Sequence, residues 1–133
     1  MATFKVNRLG TILAVADVDR SVAFYRDHLG FLVEATYDDP PYATLVRNGV
    51  RLSLGEQGHA AEDRPGVSMV APEDRSRLPV VLVLEVDDAA AVHEALVAEG
   101  VELLAPPFAP PWGGLRFFLR DPDGYLVEIE QPG

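Results

Sequence analysis

Two segments of the chain, one in each half, resemble one another. Residues 17–30 and 87–100 each open on an aspartate that follows an apolar run, and each close on a glycine. A second matching pair, residues 48–54 and 123–129, opens on Asn-Gly in one copy and on Asp-Gly in the other. Internal repeats indicate architecture more strongly than local signals do. We therefore predict two copies of one strand-and-helix unit, with the functional residues where the copies meet.

Local patterns predict the order βαβββ in each copy. Runs of apolar and β-branched residues indicate strands, and Asn48-Gly49 indicates a hairpin. The predicted strands are 9–16, 31–37, 42–47 and 50–54 in the first copy, and 80–86, 101–105, 115–120 and 124–130 in the second. The helices are expected to end at Gly30 and Gly100. Their capping candidates are Asp17, Asp19 and Ser21 for the first helix, and Asp87 or Asp88 for the second.

The two copies divide the chain into three parts. Residues 1–54 form the first βαβββ module, and residues 79–133 form the second. Between them, residues 55–78 are polar and contain Gly, Pro and mixed charge, which is typical of a linker. A chain of 133 residues is expected to build one compact domain overall from these parts.

Charge and composition limit the classes of partner. A net charge of −10 disfavours nucleic acid and anionic membranes, and it is compatible with a cationic ligand or simply with solubility. No apolar run approaches the roughly 20 residues of a membrane span, and no basic-then-apolar leader opens the sequence. The absence of cysteine excludes disulfides and thiolate chemistry. We expect a cytoplasmic protein that binds neither nucleic acid nor membrane.

Three motifs carry a resemblance to a known family. They are residues 17–31 (DVDRSVAFYRDHLGF), residues 85–88 (EVDD) with the helix after them, and Pro111-Trp112-Gly113 followed by residues 118–128 (FLRDPDGYLVE). Together they resemble the vicinal oxygen chelate superfamily, which groups glyoxalase I, bleomycin-resistance proteins and extradiol dioxygenases. The resemblance implies an α+β fold of paired βαβββ modules, each a curled half-barrel sheet with helices outside. It also implies a ligand site in the concavity and a homodimer.

The same resemblance implies a divalent metal held by His, Gln or Glu at four positions. In this sequence they are Gly10 or Thr11, Ser53 or its neighbour Leu52, Val80 or Val81, and Glu128. Only Glu128 is a strong ligand. Because a catalytic zinc-type site needs about three protein ligands, one carboxylate does not hold it. We predict no metal at this position and no cofactor, while a displaced metal site remains an alternative.

Strand alternation describes the lining of the predicted concavity. If Glu128 faces it, residues two positions away along each strand share its face. The resulting trough is largely apolar with a few charges, which suits a small organic ligand with polar groups. Its members are Ile12, Ala14, Arg51, Ser53, Val81, Val83, Glu85, Leu126, Glu128 and Glu130.

Individual side chains allow more than one interpretation. Glu128 is either a residual metal ligand, a general base or an anchor for a cationic ligand, or it is a structural carboxylate paired with Arg51 or Arg116. For His28, His59 and His93 a structural role is favoured, and His59 alone has the freedom of a loop. Four aromatic residues near loops form either a clamp on a flat ligand or part of a core or dimer interface. They are Trp112, Phe108, Tyr42 and Tyr37. Because side chains alternate along a strand, one of Phe117 and Phe118 faces the trough. Phe118 is our candidate ligand-binding residue.

These observations favour a binding protein over an enzyme. The first hypothesis is a metal-free, bleomycin-resistance-like homodimer that sequesters a cationic or aromatic compound such as an antibiotic. The alternative is a lyase, isomerase or dioxygenase-like enzyme, either with a metal held by Glu128, His59 and substrate, or with Glu128 alone as a base. A third possibility is a regulatory module with a vestigial cavity. The candidate ligand-binding residues are Tyr42, Arg51, Ser53, Phe108, Trp112, Phe118 and Glu128.

Overall fold

The sequence repeat is visible in the structure as two units that share a helix-on-sheet arrangement. The computed structural model describes residues 3–133. Unit 1 extends to Ala71, and unit 2 runs from Pro72 to Gly133. The elements of unit 1 are β1 (Gly10–Val15), α1 (Val18–Asp27), β2 (Leu32–Asp38), β3 (Pro41–Arg47) and β4 (Val50–Glu56). Those of unit 2 are β5 (Val81–Glu85), α2 (Ala89–Ala98), β6 (Leu115–Arg120) and β7 (Leu126–Gln131).

Each helix begins at an aspartate and is followed by a left-handed glycine. Asp17 and Asp88, rather than Asp87, accept a hydrogen bond from the backbone N–H three residues further on. Gly30 and Gly100 have φ angles of 72° and 77°, which glycine adopts without steric cost. Each helix has ten residues, so neither helix of the described chain is long enough to cross a membrane.

The sheet of unit 1 has the order β1-β4-β3-β2, with β1 parallel to β4 and the other neighbours antiparallel. The β3–β4 hairpin turns at Asn48-Gly49, as predicted, with positive φ at both residues. Leu45, Leu52 and Leu54 lie at most 3% exposed on the side that packs against α1. We call the opposite surface of each sheet its open face.

The sheet of unit 2 has the order β5-β7-β6 and packs against α2 in the same way. Phe117, Leu119, Val127 and Ile129 form its helix-side core and are at most 2% exposed. Apolar burial of this kind stabilises a unit by roughly 1.5–3 kcal/mol per side chain. The predicted α+β class is therefore confirmed, and neither sheet closes into a barrel.

The stretch predicted as a strand at residues 101–105 is reduced to a short contact with β6. Leu103 forms a single bridge with Leu119, and the Leu104 N–H donates to the Phe118 carbonyl. Pro106 and Pro107 follow at once, and prolines have no N–H to extend a ladder. The chain therefore leaves the sheet edge after one bridge.

Residues 57–71, which the sequence assigns to a linker, belong to unit 1 in the structure. The Gly58 N–H donates to the Met69 carbonyl, and the Ala71 N–H donates to the Gln57 side chain. The side chain of Gln57 thus closes the loop that follows β4.

Candidate functional site

Strand register places the predicted trough residues of unit 2 on its open face. In the rows that cross the sheet, Val83 lies opposite Glu128, which lies opposite Phe118. The neighbouring row contains Glu85, Glu130 and Arg116. Phe117 points to the helix side, so the alternation left open by the sequence is resolved with Phe118 on the face of Glu128.

Three aromatic rings surround one guanidinium on this face. The Arg116 Cζ atom lies 5.4 Å from the ring centroids of Trp112 and Phe118 and 6.0 Å from that of Phe108. An Arg116 nitrogen is also 3.7 Å from a Glu128 carboxylate oxygen. We call these five residues the guanidinium cluster. It brings together four of the seven predicted ligand-binding residues.

A proline-rich arm, residues 106–114, carries two of the three rings. The N–H groups of Phe108 and Arg116 each donate to the other residue's carbonyl, at 2.8 and 2.9 Å, which fixes Phe108 beside β6. The arm returns to β6 through Gly113-Gly114, where both φ angles are positive. A Cβ at Gly114 would overlap the backbone carbonyl oxygen of Gln131, so only glycine permits this close return.

The open face of unit 2 carries more acid than base. Arg116 is associated with Glu128, while Arg120 is directed to Glu102 and to the Gly124 carbonyl. Glu85 and Glu130 are register partners on parallel strands. Neither has an ion pair within residues 3–133. Although Arg116 lies in the same row, the excess of carboxylates on this face favours the approach of a cation.

The remaining predicted residues, Tyr42, Arg51 and Ser53, lie on the open face of unit 1. Tyr42 packs on Gly55, where an added Cβ would lie 3.2 Å from its ring, and tilts toward Tyr37 at 6.3 Å. Ser53 is 6% exposed. The seven predicted residues therefore form two groups, one in each unit.

Arg51 of β4 is hydrogen-bonded to a residue at a β-bulge in β2. The register of β2 shifts between Val33 and Ala35, and Glu34 at this irregularity accepts a hydrogen bond from Arg51 Nη2 at 3.0 Å. Bulges commonly re-aim a side chain in this way. The Nε of Arg51 is buried without a hydrogen-bond partner in the described chain.

The three histidines make local contacts. His93 places its ring edge-on to Phe117 at 4.9 Å, and His28 contacts Phe24 at 5.3 Å. His59 Nε2 lies 2.7 Å from a carboxylate oxygen of Glu56. Each contact accounts for its histidine as part of the local packing or hydrogen bonding.

The motif Asp121-Pro122-Asp123-Gly124 serves a turn. Asp121 is 4% exposed, and its carboxylate accepts hydrogen bonds from the N–H groups of Asp123 and Tyr125, each at 2.9 Å. The motif therefore positions β7, and hence Glu128, through backbone geometry.

Comparison with known proteins identifies the family. A profile of the Glyoxalase/Bleomycin resistance protein/Dioxygenase superfamily matches residues 5–129. The chain belongs to this superfamily. Its match spans nearly the whole chain, in agreement with the resemblance of the three sequence motifs.

Relatives and solved structures of the superfamily support this membership. The chain is 33% identical to a lactoylglutathione lyase of Haemophilus influenzae over 129 residues, covering 91% of this chain and 89% of that protein. It is 30% identical to the lactoylglutathione lyase of Salmonella typhimurium, with the same coverage. A glyoxalase/bleomycin resistance protein/dioxygenase from Nocardioides is similar in structure, with a TM-score of 0.78 and 25% identity, over 97% of this chain and 85% of that one.

The residues at the superfamily's metal positions do not fit a metal. Strand pairing selects Gly10 and Val81 as the members of each alternative that share a face with Ser53 and Glu128. Glycine and valine have no ligating side-chain atom, and serine is a weak ligand. Within residues 3–133, no three His, Asp or Glu side chains come together as a ligand group. The donor set therefore lacks the roughly three ligands that a zinc-type site requires.

Sequence reasoning missed the central position of Arg116. It was considered only as an ion-pair partner of Glu128, although it lies two residues before Phe118 and therefore on the same strand face. The signal was present in the alternation of β6. The contact with Phe108 and Trp112 depends on how the arm folds back, which no local pattern indicates.

Proposed function

We propose that this chain is a metal-free small-molecule-binding member of the superfamily. In this proposal the open face of unit 2 binds a planar aromatic cation between Phe108, Trp112 and Phe118, with Glu128 as the counter-charge. Arg116 occupies that place when no ligand is bound. The observation that carries the proposal is the position of the Arg116 guanidinium among three rings and a carboxylate.

The guanidinium of Arg116 has the shape and charge that we expect of the ligand. It is planar and cationic, and ring faces attract such groups by about 0.5–1 kcal/mol each at exposed sites. Its ion pair with Glu128 is long, at 3.7 Å, and the arginine side chain is 30% exposed. At this distance the two groups attract each other less strongly than in direct hydrogen-bond contact. A larger aromatic cation can therefore replace Arg116 with more stacking area at modest cost.

Exposure and charge around the cluster agree with this ligand class. Trp112 is 71% exposed and Phe108 is 55% exposed, so ring surface is accessible beside the guanidinium. Exposed apolar patches of this kind commonly mark binding sites. Glu85 and Glu130 add negative charge on the same face, which attracts a cation and repels an anion.

The proposed biological role is sequestration. A protein that binds an aromatic cationic compound without converting it protects by stoichiometric binding, and an antibiotic of this chemistry is the expected ligand. We also infer a cytoplasmic homodimer. Light scattering coupled to gel filtration tests the dimer, which is expected to show the mass of two chains.

Calorimetric titration with N-methylquinolinium, compared with uncharged quinoline, tests the proposed ligand class. We expect saturable binding of the cation that is tighter than that of quinoline by about tenfold or more, equivalent to ~1.4 kcal/mol. The Glu128→Gln variant is expected to remove most of this preference, whereas Glu62→Gln, an exposed change in the loop of unit 1, is expected to retain it. Equal affinity for both compounds, or no binding of either, would overturn the proposal.

A second candidate is an enzyme of the lyase or isomerase type. The observation that favours it is the 30–33% identity to lactoylglutathione lyases. In this alternative the Glu128 carboxylate, which is 12% exposed, accepts a proton from the carbon next to a carbonyl. Turnover of a thiohemiacetal substrate to lactoylglutathione, lost in Glu128→Gln, supports this alternative. Absence of turnover at high protein concentration contradicts it.

A further inference from the structure

The start of the chain and the start of β4 form a second, oppositely charged surface in unit 1. A depression of about 510 Å³ is lined by Asn7, Arg8, Gly10 and Arg51. This volume lies within the range of small-molecule sites. Two arginines thus line one depression in a chain whose net charge is −10. Its residues belong to unit 1, whereas those of the guanidinium cluster belong to unit 2.

The positive charge of this depression is only partly compensated. Glu34 accepts a hydrogen bond from Arg51 Nη2 at 3.0 Å, and Arg51 Nε is buried without a partner within residues 3–133. Arg8 has no ion pair in the described part of the chain. An arginine has five N–H donors, so one carboxylate leaves Arg51 with donors to spare.

The sequence around the depression is also basic. Residues 1–16 contain Lys5 and Arg8 and no aspartate or glutamate, in contrast to the acidic balance of the whole chain. Gly10 adds no side chain to the rim, and an added Cβ there would meet nothing within 4 Å. The depression therefore has room for a ligand group beside its arginines.

We propose that this depression is an oxyanion-binding site, and that Arg8 and Arg51 together bind the carboxylate or phosphate group of a small molecule. Guanidinium groups form charge-assisted, often bidentate hydrogen bonds with both groups. Asn7 also lines the depression. Glu34 keeps Arg51 oriented, while Arg8, on a segment without regular structure, completes the site.

Nuclear magnetic resonance of the arginine Nε–H groups tests the site directly. The full chain is titrated with sodium phosphate and, separately, with sodium malonate at constant ionic strength maintained with chloride. We expect saturable shifts of the Arg51 Nε–H signal with at least one of the two anions, and the tighter of the two identifies phosphate or carboxylate as the preferred group. Linear shifts that chloride reproduces would overturn the proposal.

Matched variants complete the test. Arg8→Gln is expected to weaken anion binding by about tenfold, because it removes a charge-assisted contact. Arg51→Gln, which removes the Arg51 signal and is therefore followed through the Nε–H signal of Arg8, is expected to do the same. Arg26→Gln removes an exposed arginine elsewhere in unit 1 and is expected to retain the affinity. Equal affinity in all three variants would show that the shifts reflect general screening. The residues of the guanidinium cluster are unchanged in these variants, so titration with N-methylquinolinium reports separately whether cation binding is retained.

Discussion

The two units share a scaffold and differ on their open faces. Three strands of each sheet correspond in the orders β1-β4-β3-β2 and β5-β7-β6. Where unit 1 has β2, unit 2 has an irregular segment that meets β6 through isolated bridges at Leu103 and Phe108. In unit 1 the fourth strand is complete. In unit 2 the corresponding segment contains prolines, which have no N–H to donate, and it forms only isolated bridges with β6. Phe108 and Trp112 lie beside Arg116. In unit 2, therefore, an irregular segment in place of a regular edge strand carries two of the three rings of the guanidinium cluster.

Charge separates the two faces as clearly as shape does. Unit 1 contains a depression with two arginines and one carboxylate partner. Unit 2 contains Glu128 beside Arg116, together with two carboxylates that lack an ion pair in the described chain. One backbone plan thus supports two surfaces of opposite charge. The repeat predicts the scaffold and carries no information about which ligand each face prefers.

The largest expected effect concerns Gly114, at which the arm of unit 2 folds back to β6. Gly114→Ala is expected to lower the free energy of unfolding by about 3 kcal/mol or more, because the added Cβ overlaps the Gln131 backbone and φ is 82°. The matched change in unit 1 is Gly30→Ala, where the Cβ meets the movable guanidinium of Arg47. That variant is expected to lose about 1–2 kcal/mol. Urea denaturation measures both, and equal losses would show that the arm is not held rigidly.

A smaller effect is expected on ligand affinity when the exposed ring of the arm is removed. Trp112→Ala is expected to weaken binding of N-methylquinolinium by about tenfold, since stacking and cation–π attraction are lost. Phe4→Ala removes a similarly exposed ring from unit 1 and is expected to change the affinity by less than about twofold. Calorimetry measures both dissociation constants. If the two variants behave alike, ring exposure alone explains the binding and the cluster has no special role.

The smallest effects concern two exposed aspartates, one in each unit. Hydrogen bonding from Arg26 lowers the pKa of Asp27, and hydrogen bonds from the hydroxyl and backbone N–H of Ser76 lower the pKa of Asp74. A lowered pKa gives stability that is present above the unfolded pKa and lost as the pH falls through the folded one. Because both carboxyls are exposed, we expect no measurable change in overall stability.

Salt distinguishes these two aspartates. Carbon-detected titration is expected to show that about 1 M salt raises the pKa of Asp27 more than that of Asp74, because only Asp27 has a charged partner. Ser76→Ala is expected to raise the pKa of Asp74 only in part, since the backbone donor remains. Equal responses to salt would contradict this assignment of causes.

Much of the scaffold was predictable because its signals are local. Asp17 caps α1, Asn48-Gly49 turns the β3–β4 hairpin, and Gly30 and Gly100 follow the helices in the left-handed conformation. Alternation also predicted correctly that Glu128 and Val83 share a face. Each of these features depends on residues within a few positions of one another or on a strict two-residue period.

The features that were not predicted depend on distant residues. The prolines after Ala105 were visible in the sequence, but how completely they end strand pairing depends on the edge of β6. The contact of Arg116 with Trp112 depends on the return of the arm at Gly114. A side-chain cluster that forms where a loop folds back on a strand has no periodic pattern in the sequence. The sequence therefore indicates its members individually and does not show that they meet.

The affinity of the Arg116→Gln variant for N-methylquinolinium tests the central claim most directly. If Arg116 occupies the place of the ligand, removing its charge frees the rings and Glu128, and the cation is expected to bind about tenfold tighter, or ~1.4 kcal/mol. An affinity equal to or weaker than that of the unchanged protein would show that Arg116 does not compete with a cation. The proposed site on the open face of unit 2 would then be wrong.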